Sequence, residues 1–518
     1  MCAFRRQRYK FLEKKTKEDK KLLTDEIIFQ ITSEMEHVPT DGQHRVIETF
    51  AHFLTSRNER TLMILRGSAG TGKTTLAGAM VRFLKRMEQP VVLLAPTGRA
   101  AKVFALNSGS AAQTIHRCIY RQRTIDGGGG TFDLGYNKLK DALFIVDEAS
   151  MIARGDSFAP PATSGTFGSG SLLDDLVSFV YGNGTCRMML IGDKAQLPPV
   201  GEQTSPALTD EVMATYGLEV LSCDLDEVLR QSQESGILWN ATQIRRNVGI
   251  WRDGRESGAS SLPRIATDFP DIRLVPGDEL IESLASSYSR AGIDDTIVIT
   301  RSNKRANIYN MGIRNTILDR EDELTIGDRL MIVKNNYFWT ERSNTNANVN
   351  ESSYPSFIAN GDIAIVQRVR NIRELFGFRF ADVSLTFPDY DYYDLHATVL
   401  LDTLQAEAPS LTRQQHEQLF NEVMADYSFI PSKKERLRKL REDIHYNALQ
   451  VKYAYAVTCH KAQGGQWAHV YIDQGYLPED MSVDDYLHWL YTAFTRATEQ
   501  LYLVNWPKTQ TQHPDDTE

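Results

Sequence analysis

With 518 residues the chain is long enough for three or four compact units with separate cores, which argues against a single small binding module. Apolar residues make up 42% and charged residues 24%, the balance of an ordinary globular protein, and a net charge of -9 has the wrong sign for coating nucleic acid by bulk attraction. The longest apolar runs fall far short of the roughly 18–20 residues that cross a bilayer, no signal-peptide core follows the basic N-terminus, and the five cysteines form no metal-spaced pair. The expectation is a cytoplasmic protein with reduced thiols, no membrane segment and any nucleic-acid site confined to a local groove.

Residues 1–36 read as a basic N-terminal extension; residues 1–23 carry nine Lys/Arg against three Asp/Glu and are expected to be a solvated helix or mobile arm rather than a DNA contact. Over residues 37–224, apolar runs at 61–66, 91–95, 143–147 and 188–193 alternate with amphipathic stretches, the pattern of a parallel sheet flanked by helices. Gly127–Gly130 between Tyr120 and Leu134 predicts a hairpin tip within an insertion at about 117–141, and residues 153–171, rich in Gly, Ser, Pro and Thr, read as a long mobile loop. A second α/β unit is expected over 225–324 and 451–506, with strands at 296–300, 469–473 and 500–505. It is interrupted by a domain at 325–450 made of short strands and a charged helical stretch, 411–447. Residues 507–518 read as a frayed polar tail.

The chemistry is concentrated at strand ends. Gly67-Ser-Ala-Gly70-Thr-Gly72-Lys73-Thr74-Thr75 follows the run 62–65 and precedes a helical stretch. Glycines let backbone N–H groups close around phosphates at a helix N-terminus, Lys73 reaches the β/γ-phosphates of ATP, and Thr74 offers a hydroxyl to Mg²⁺. The strand at 143–146 ends in Asp147-Glu148, one carboxylate to hold the metal through water and one to orient or deprotonate the attacking water. Together these two motifs indicate a nucleoside triphosphatase.

Further motifs accompany the remaining strands: Pro96-Thr97-Gly-Arg99, Thr114-Ile-His116, Gly192-Asp193-Lys-Ala-Gln196-Leu-Pro-Pro, Leu229-Arg230-Gln231, Thr458-Cys-His460-Lys461-Ala-Gln463-Gly464 and Tyr491-Thr-Ala-Phe-Thr495-Arg496. In this order the chain resembles the superfamily 1 helicases, and Asp-Glu-Ala-Ser, Gln-Leu-Pro-Pro-Val and His-Lys-Ala-Gln-Gly resemble the RecD/Dda/PIF branch, superfamily 1B. Gly327-Asp328-Arg329 and Asn360-Gly361-Asp362 resemble the landmarks of the SH3-like insertion of RecD and Dda proteins, and the short N-terminus makes a compact Dda-like enzyme the nearest match.

The resemblance implies two RecA-like P-loop domains, a small hairpin insertion in the first and an SH3-like β insertion in the second. It implies roles for Gln43 at the adenine, for Gly67, Gly70, Gly72, Thr75 and Gly464 at the nucleotide, for Gln196 as a relay, and for Arg230 and Arg496 as arginine fingers reaching across a cleft. Pro96, Thr97, Arg99, Thr114, His116, Thr458, His460 and Lys461 would face single-strand phosphates, although His116 and His460 also fit as structural histidines. Leu229 stands where several members carry a stacking Tyr, and Gln466-Trp467 where many carry a Glu followed by an aromatic.

The expected activity is ATP-dependent DNA unwinding, 5′→3′ on single-stranded DNA, by a monomer acting at a fork duplex, with replication or recombination proteins as further partners. An RNA- or RNP-remodelling helicase and a nucleotide-switched DNA-binding ATPase are the alternatives. The hairpin at 120–134, with Phe132 as its stacking side chain, reads either as a strand-separating wedge or as a plain surface loop.

Overall fold

Strands buried on both faces need helices above and below them, and the computed structural model builds that arrangement twice. It describes residues 17–122, 132–155, 168–227, 235–248, 262–344, 357–477 and 481–512. The first α/β unit holds β1 (Thr61–Gly67), β2 (Val91–Ala95), β3 (Ala112–Thr114), β4 (Tyr120–Gln122), β5 (Phe132–Leu134), β6 (Leu143–Val146), β7 (Arg187–Gly192) and β8 (Glu219–Leu225). Six of these form a parallel sheet in the order β3-β2-β6-β7-β1-β8. Every residue of β1 is buried. This order brings the ends of β6, β7 and β1 side by side, while the ends of β2 and β3 lie toward the far edge. β4 and β5 pair antiparallel, Tyr120 opposite Leu134, as the stem of the expected hairpin. Its tip, with Gly127–Gly130, lies outside the described residues, as does most of the expected loop 153–171.

The second unit holds β9 (Ile265–Ala266), β10 (Ile272–Val275) and β11 (Thr296–Thr300), then β12 (Arg329–Ile332), β13 (Ile363–Leu375), β14 (Phe378–Phe387), β15 (Tyr393–Leu400) and β16 (Leu449–Tyr453), then β17 (Ala456–Thr458), β18 (Trp467–Asp473), β19 (Ala497–Val504) and β20 (Thr511–Gln512). Its parallel sheet runs β10-β19-β18-β11-β17, and β12 to β16 close into a barrel. The barrel shares a core with the sheet: Val298, Tyr309 and Ile313 pack in one cluster with Leu330, Val366 and Tyr453. At the joint, Asp328 is fully buried and accepts from Arg314 (2.9 and 3.0 Å), Arg320 (3.0 Å) and the Tyr455 hydroxyl (3.0 Å). A buried carboxylate needs such partners, which explains the Asp of the Gly327-Asp328-Arg329 landmark. Within residues 411–447, two helices, Arg413–Asp426 and Lys433–Glu442, pack Leu419, Val423 and Leu440 against Phe378 and Phe380 of the barrel.

Residues 17–33 form a helix whose start leaves Lys21 and Leu22 exposed and whose later turns enter the fold: Ile27 and Ile31 are buried in the core of the first unit with Phe50 and Met80, and Glu34 pairs with Arg86 at 2.6 Å. One expectation is corrected. The tail is not frayed as far as Gln512, because β20 adds to β9 and buries Gln510 and Thr511. Among the described residues, no helix is long and apolar enough to cross a membrane.

Candidate active site

β1 ends at Gly67, whose replacement by any larger residue would put a Cβ 2.9 Å from the Leu225 carbonyl. Gly70 and Gly72 turn through φ of 75° and 79°, the left-handed region that glycine adopts without penalty, and the helix Lys73–Arg86 starts immediately after. The loop's amides therefore converge at a helix N-terminus. Lys73 Nζ donates to the carbonyls of Gly67 (2.7 Å) and Ser68 (2.8 Å), while Thr74 is half-buried and Thr75 exposed in the first turn.

Gln43, 4% exposed, joins a capping box with Thr40: its Oε1 accepts from the Thr40 N–H (3.1 Å), and its Nε2 donates to the Thr71 carbonyl (3.2 Å). Its amide thus braces the phosphate loop, with one N–H left for an adenine edge.

Asp147 and Glu148 follow β6. Glu148 adopts φ 52°, an uncommon conformation for a non-glycine residue, and its N–H donates to Asp147 Oδ1 at 2.9 Å. Burial and the adjacent Glu148 carboxylate push the Asp147 pKa up to about 7, against the pull of Lys73. Glu148 Oε2, Gln196 Oε1 and Ser68 Oγ are buried without a hydrogen-bond partner. Buried polar atoms are rarely left so, and these belong to the neighbouring ends of β1, β6 and β7. Such orphaned acceptors, with a raised carboxyl pKa, fit a hydrated phosphate–metal group. Among the described residues no trio of His, Cys, Asp or Glu could hold a metal by itself, but a Mg²⁺ sharing its shell with phosphate and water needs only one or two protein oxygens, which Thr74 and Asp147 can supply.

The second unit meets this site along residues 193–197. The Tyr491 hydroxyl donates to Asp193 and accepts from the Ala69 N–H (3.0 Å). His488 Nδ1 lies 2.9 and 3.0 Å from the Ala195 and Gln196 carbonyls, Leu197 N–H donates to Thr492 Oγ1 (2.7 Å), and Gln463 Nε2 donates to the Leu197 carbonyl (2.7 Å). Arg245 adds an ion pair, its Nε 3.6 Å from Asp193 Oδ1. Arg245 and His488 were not singled out from sequence; Asp193, Gln463, Tyr491 and Thr492 stand inside quoted motifs, but only tertiary contact shows what they touch.

Arg496, expected to reach across the cleft, is held within its own unit in this structure. It is 3% exposed and bonds within its own unit, to Thr492 O (3.0 Å), Gly465 O (3.1 Å) and Thr495 Oγ1 (3.0 Å), because a buried guanidinium must place its N–H groups on acceptors. Arg230 lies outside the described residues. Gly464, expected at the nucleotide, turns through φ 73° and lies against Thr97 and Ala100, where a Cβ would come within 2.9 Å of Ala100 Cβ.

Thr97, Arg99, His460 and Lys461 line one cavity of about 200 Å³, together with Asn360 of the barrel and Trp467. Pro96 precedes it at the end of β2. The Thr97 hydroxyl caps the helix Gly98–Ser108, accepting from Ala100 N at 3.2 Å, and Thr458 opens the turn that carries His460 and Lys461. Thr114 and His116 lie beyond the cavity lining at the end of β3, where Thr114 accepts from Arg117 N (3.3 Å). Burial pushes the His116 pKa down to about 4, so near neutral pH it offers a neutral hydrogen bond and no charge.

Residues 39–158 match the AAA domain family and residues 453–504 the UvrD-like helicase C-terminal domain. The chain is similar to the RecD/Dda/PIF-like helicases of superfamily 1B. It is 31% identical over 166 residues to the ATP-dependent RecD2 DNA helicase of Deinococcus radiodurans, covering 32% of this chain and 20% of that protein. It is 25% identical over 310 residues to the ATP-dependent DNA helicase dda of Enterobacteria phage T4, covering 57% of this chain and 60% of the phage protein. The matched stretch thus spans only a fifth of the first and three fifths of the second. A solved Pif1 helicase from Bacteroides, in complex with ADP-AlF3 and ssDNA, aligns over 92% of this chain and 95% of its own, at 16% identity and a TM-score of 0.43.

Proposed function

We propose that the protein is an ATP-driven DNA helicase that moves 5′→3′ on single-stranded DNA and separates the duplex ahead of it. The observation that carries this reading is the seam at residues 193–197: a loop leaving the sheet beside the phosphate cradle is held by side chains of the second unit, which also bears the far wall of the cationic cavity. An arrangement of this kind lets events at the phosphates shift one wall of the groove against the other.

In this reading the γ-phosphate replaces the Gly67 and Ser68 carbonyls as the partner of Lys73. Glu148 takes the proton of the attacking water, and Gln196 aligns that water. Thr74 and Asp147 would hold Mg²⁺, which neutralises phosphate charge when bound. Arg230 and Arg496 serve as fingers once the cleft tightens, Arg496 exchanging carbonyl partners for phosphate oxygen. Thr97, Arg99, Thr458, His460 and Lys461 grip the strand, with Thr114 and His116 extending its path. The barrel takes the part of the SH3-like insertion over the groove, the β4–β5 hairpin that of the wedge, and a monomer working at a fork, with replication or recombination proteins, is the working unit.

A strand-displacement assay with single-stranded tails of each polarity tests this directly. Unwinding of 5′-tailed duplex, and ATPase stimulated more by DNA than by matched RNA oligonucleotides, is expected. ATP hydrolysis indifferent to either nucleic acid overturns the reading.

A further inference from the structure

The Tyr491 hydroxyl spans two places that the hydrolysis scheme leaves unconnected: the amide of Ala69 in the phosphate loop and the carboxylate of Asp193. We propose that Tyr491 is a positioning residue that senses whether the phosphate loop is filled, holding the Ala69 amide while the site is empty and surrendering it to phosphate when nucleotide binds. This rests on the nucleotide-driven reading above.

Ala69 sits between Gly67 and the left-handed Gly70, in the stretch whose amides converge on the helix N-terminus. A phosphate oxygen is a charged acceptor and forms the stronger hydrogen bond with an amide, so nucleotide displaces the phenol rather than sharing with it. The phenol cannot move alone. Its ring is 1% exposed, and the same helix, Val483–Phe494, holds the 193–197 loop through His488 and Thr492 and leads directly into Arg496. Asp193 is equally fixed: it is fully buried, its Oδ1 accepts from Ala195 N (3.0 Å), and Arg245 stands 3.6 Å away. Release of Ala69 therefore leaves the hydroxyl on Asp193 alone and shifts the helix against the loop.

Tyr491→Phe in the full chain keeps the ring and removes the exchange. Without the competing phenol, the ATP KM and the Kd of a fluorescent ADP are expected to fall about 3- to 10-fold, the size of one exchanged hydrogen bond. The kcat is expected to fall at least about fivefold, and the ratio of oligo-dT affinities with and without ADP–aluminium fluoride to move toward one. Because Tyr491→Phe also uncovers the Asp193 carboxylate, Tyr491→Phe/Asp193→Asn is measured beside it. The same KM and affinity-ratio phenotype supports sensing, whereas return of both to wild-type values assigns Tyr491 a merely structural role and overturns the proposal. Unchanged KM and ADP affinity in Tyr491→Phe overturn it as well. The ADP measurement needs no unwinding, so a wild type that fails to displace strands counts against the helicase reading alone.

Discussion

The guanidinium of Arg99 lies 4.1 Å from the centre of the Trp467 ring, and one of its N–H groups donates to the Gln466 carbonyl at 3.1 Å. Arg99 starts a helix of the first unit and Trp467 opens β18 of the second, so the contact bridges the cavity wall. If Arg99 also serves a strand phosphate, Arg99→Ala weakens single-strand binding and flattens the plot of log K against log salt by about 0.7, one phosphate's worth for single strands. Trp467→Leu removes the stacking partner, worth about 0.5–2 kcal/mol, together with part of the core packing of the second unit, and is expected to leave the salt slope intact. Fluorescence anisotropy with an oligo-dT over a salt series separates the two.

Lys73→Ala is expected to abolish ATP hydrolysis while single-strand binding stays measurable. Lys73 donates to carbonyls of its own loop, acts on Asp147 at the phosphate side and does not line the groove cavity. Retained turnover, with folding verified by circular dichroism, contradicts the phosphate assignment.

Asp147 and Glu148 make a prediction with a sign. The Asp147 pKa is raised to about 7 by burial and by the neighbouring carboxylate, so its charge is lost as pH falls through 7. Protons then compete with Mg²⁺, and the acid limb of the ATPase profile is expected to move to lower pH as Mg²⁺ is raised. Glu148→Gln abolishes most turnover, since an amide is no base. By removing the adjacent charge it also lowers the Asp147 pKa, so Mg²⁺-dependent ADP binding in this variant persists to lower pH than in the wild type. Titrating fluorescent ADP binding against pH and Mg²⁺ checks both shifts.

The glycine spacing of the phosphate loop and the unbroken apolar strands were legible because each rests on local backbone needs. What escaped depends on distance across the fold. Lysines mask the periodicity that buries Ile27 and Ile31, and the pairing of Thr511–Gln512 depends on a two-residue partner strand. Motif membership pointed to the neighbourhood of Arg496, yet its burial against Gly465 O and the role of Tyr491 at Ala69 follow from side-chain directions that sequence spacing does not encode.

Arg496→Lys keeps a cation but not the planar fork that binds three acceptors. As a finger, Arg496 is worth on the order of 10³–10⁵ in rate where such groups have been measured, so kcat is expected to collapse with ATP affinity little changed. As a purely internal brace it would instead lower the melting temperature and leave kcat in proportion to folded protein. Stopped-time ATPase assays paired with thermal melts decide between these outcomes.

Lys461 supplies the last test. Burial lowers its pKa to about 8, and its ammonium donates to Asn360 of the barrel at the cavity wall. Desolvation disfavours the charged form, so in the free protein Lys461 loses its proton as pH rises through 8, whereas a bound phosphate favours the ammonium and raises that pKa. Strand binding must therefore take up protons above pH 8, and affinity is expected to fall between pH 7 and 9 with a slope approaching one decade per pH unit. Lys461→Arg retains its charge over this range and should flatten the slope, while Lys461→Met should weaken binding at pH 7 and also flatten it. Isothermal titration in two buffers of different ionisation enthalpy reads the proton uptake directly. A wild-type slope equal to that of Lys461→Met would mean that Lys461 holds the barrel to the second unit without touching the strand.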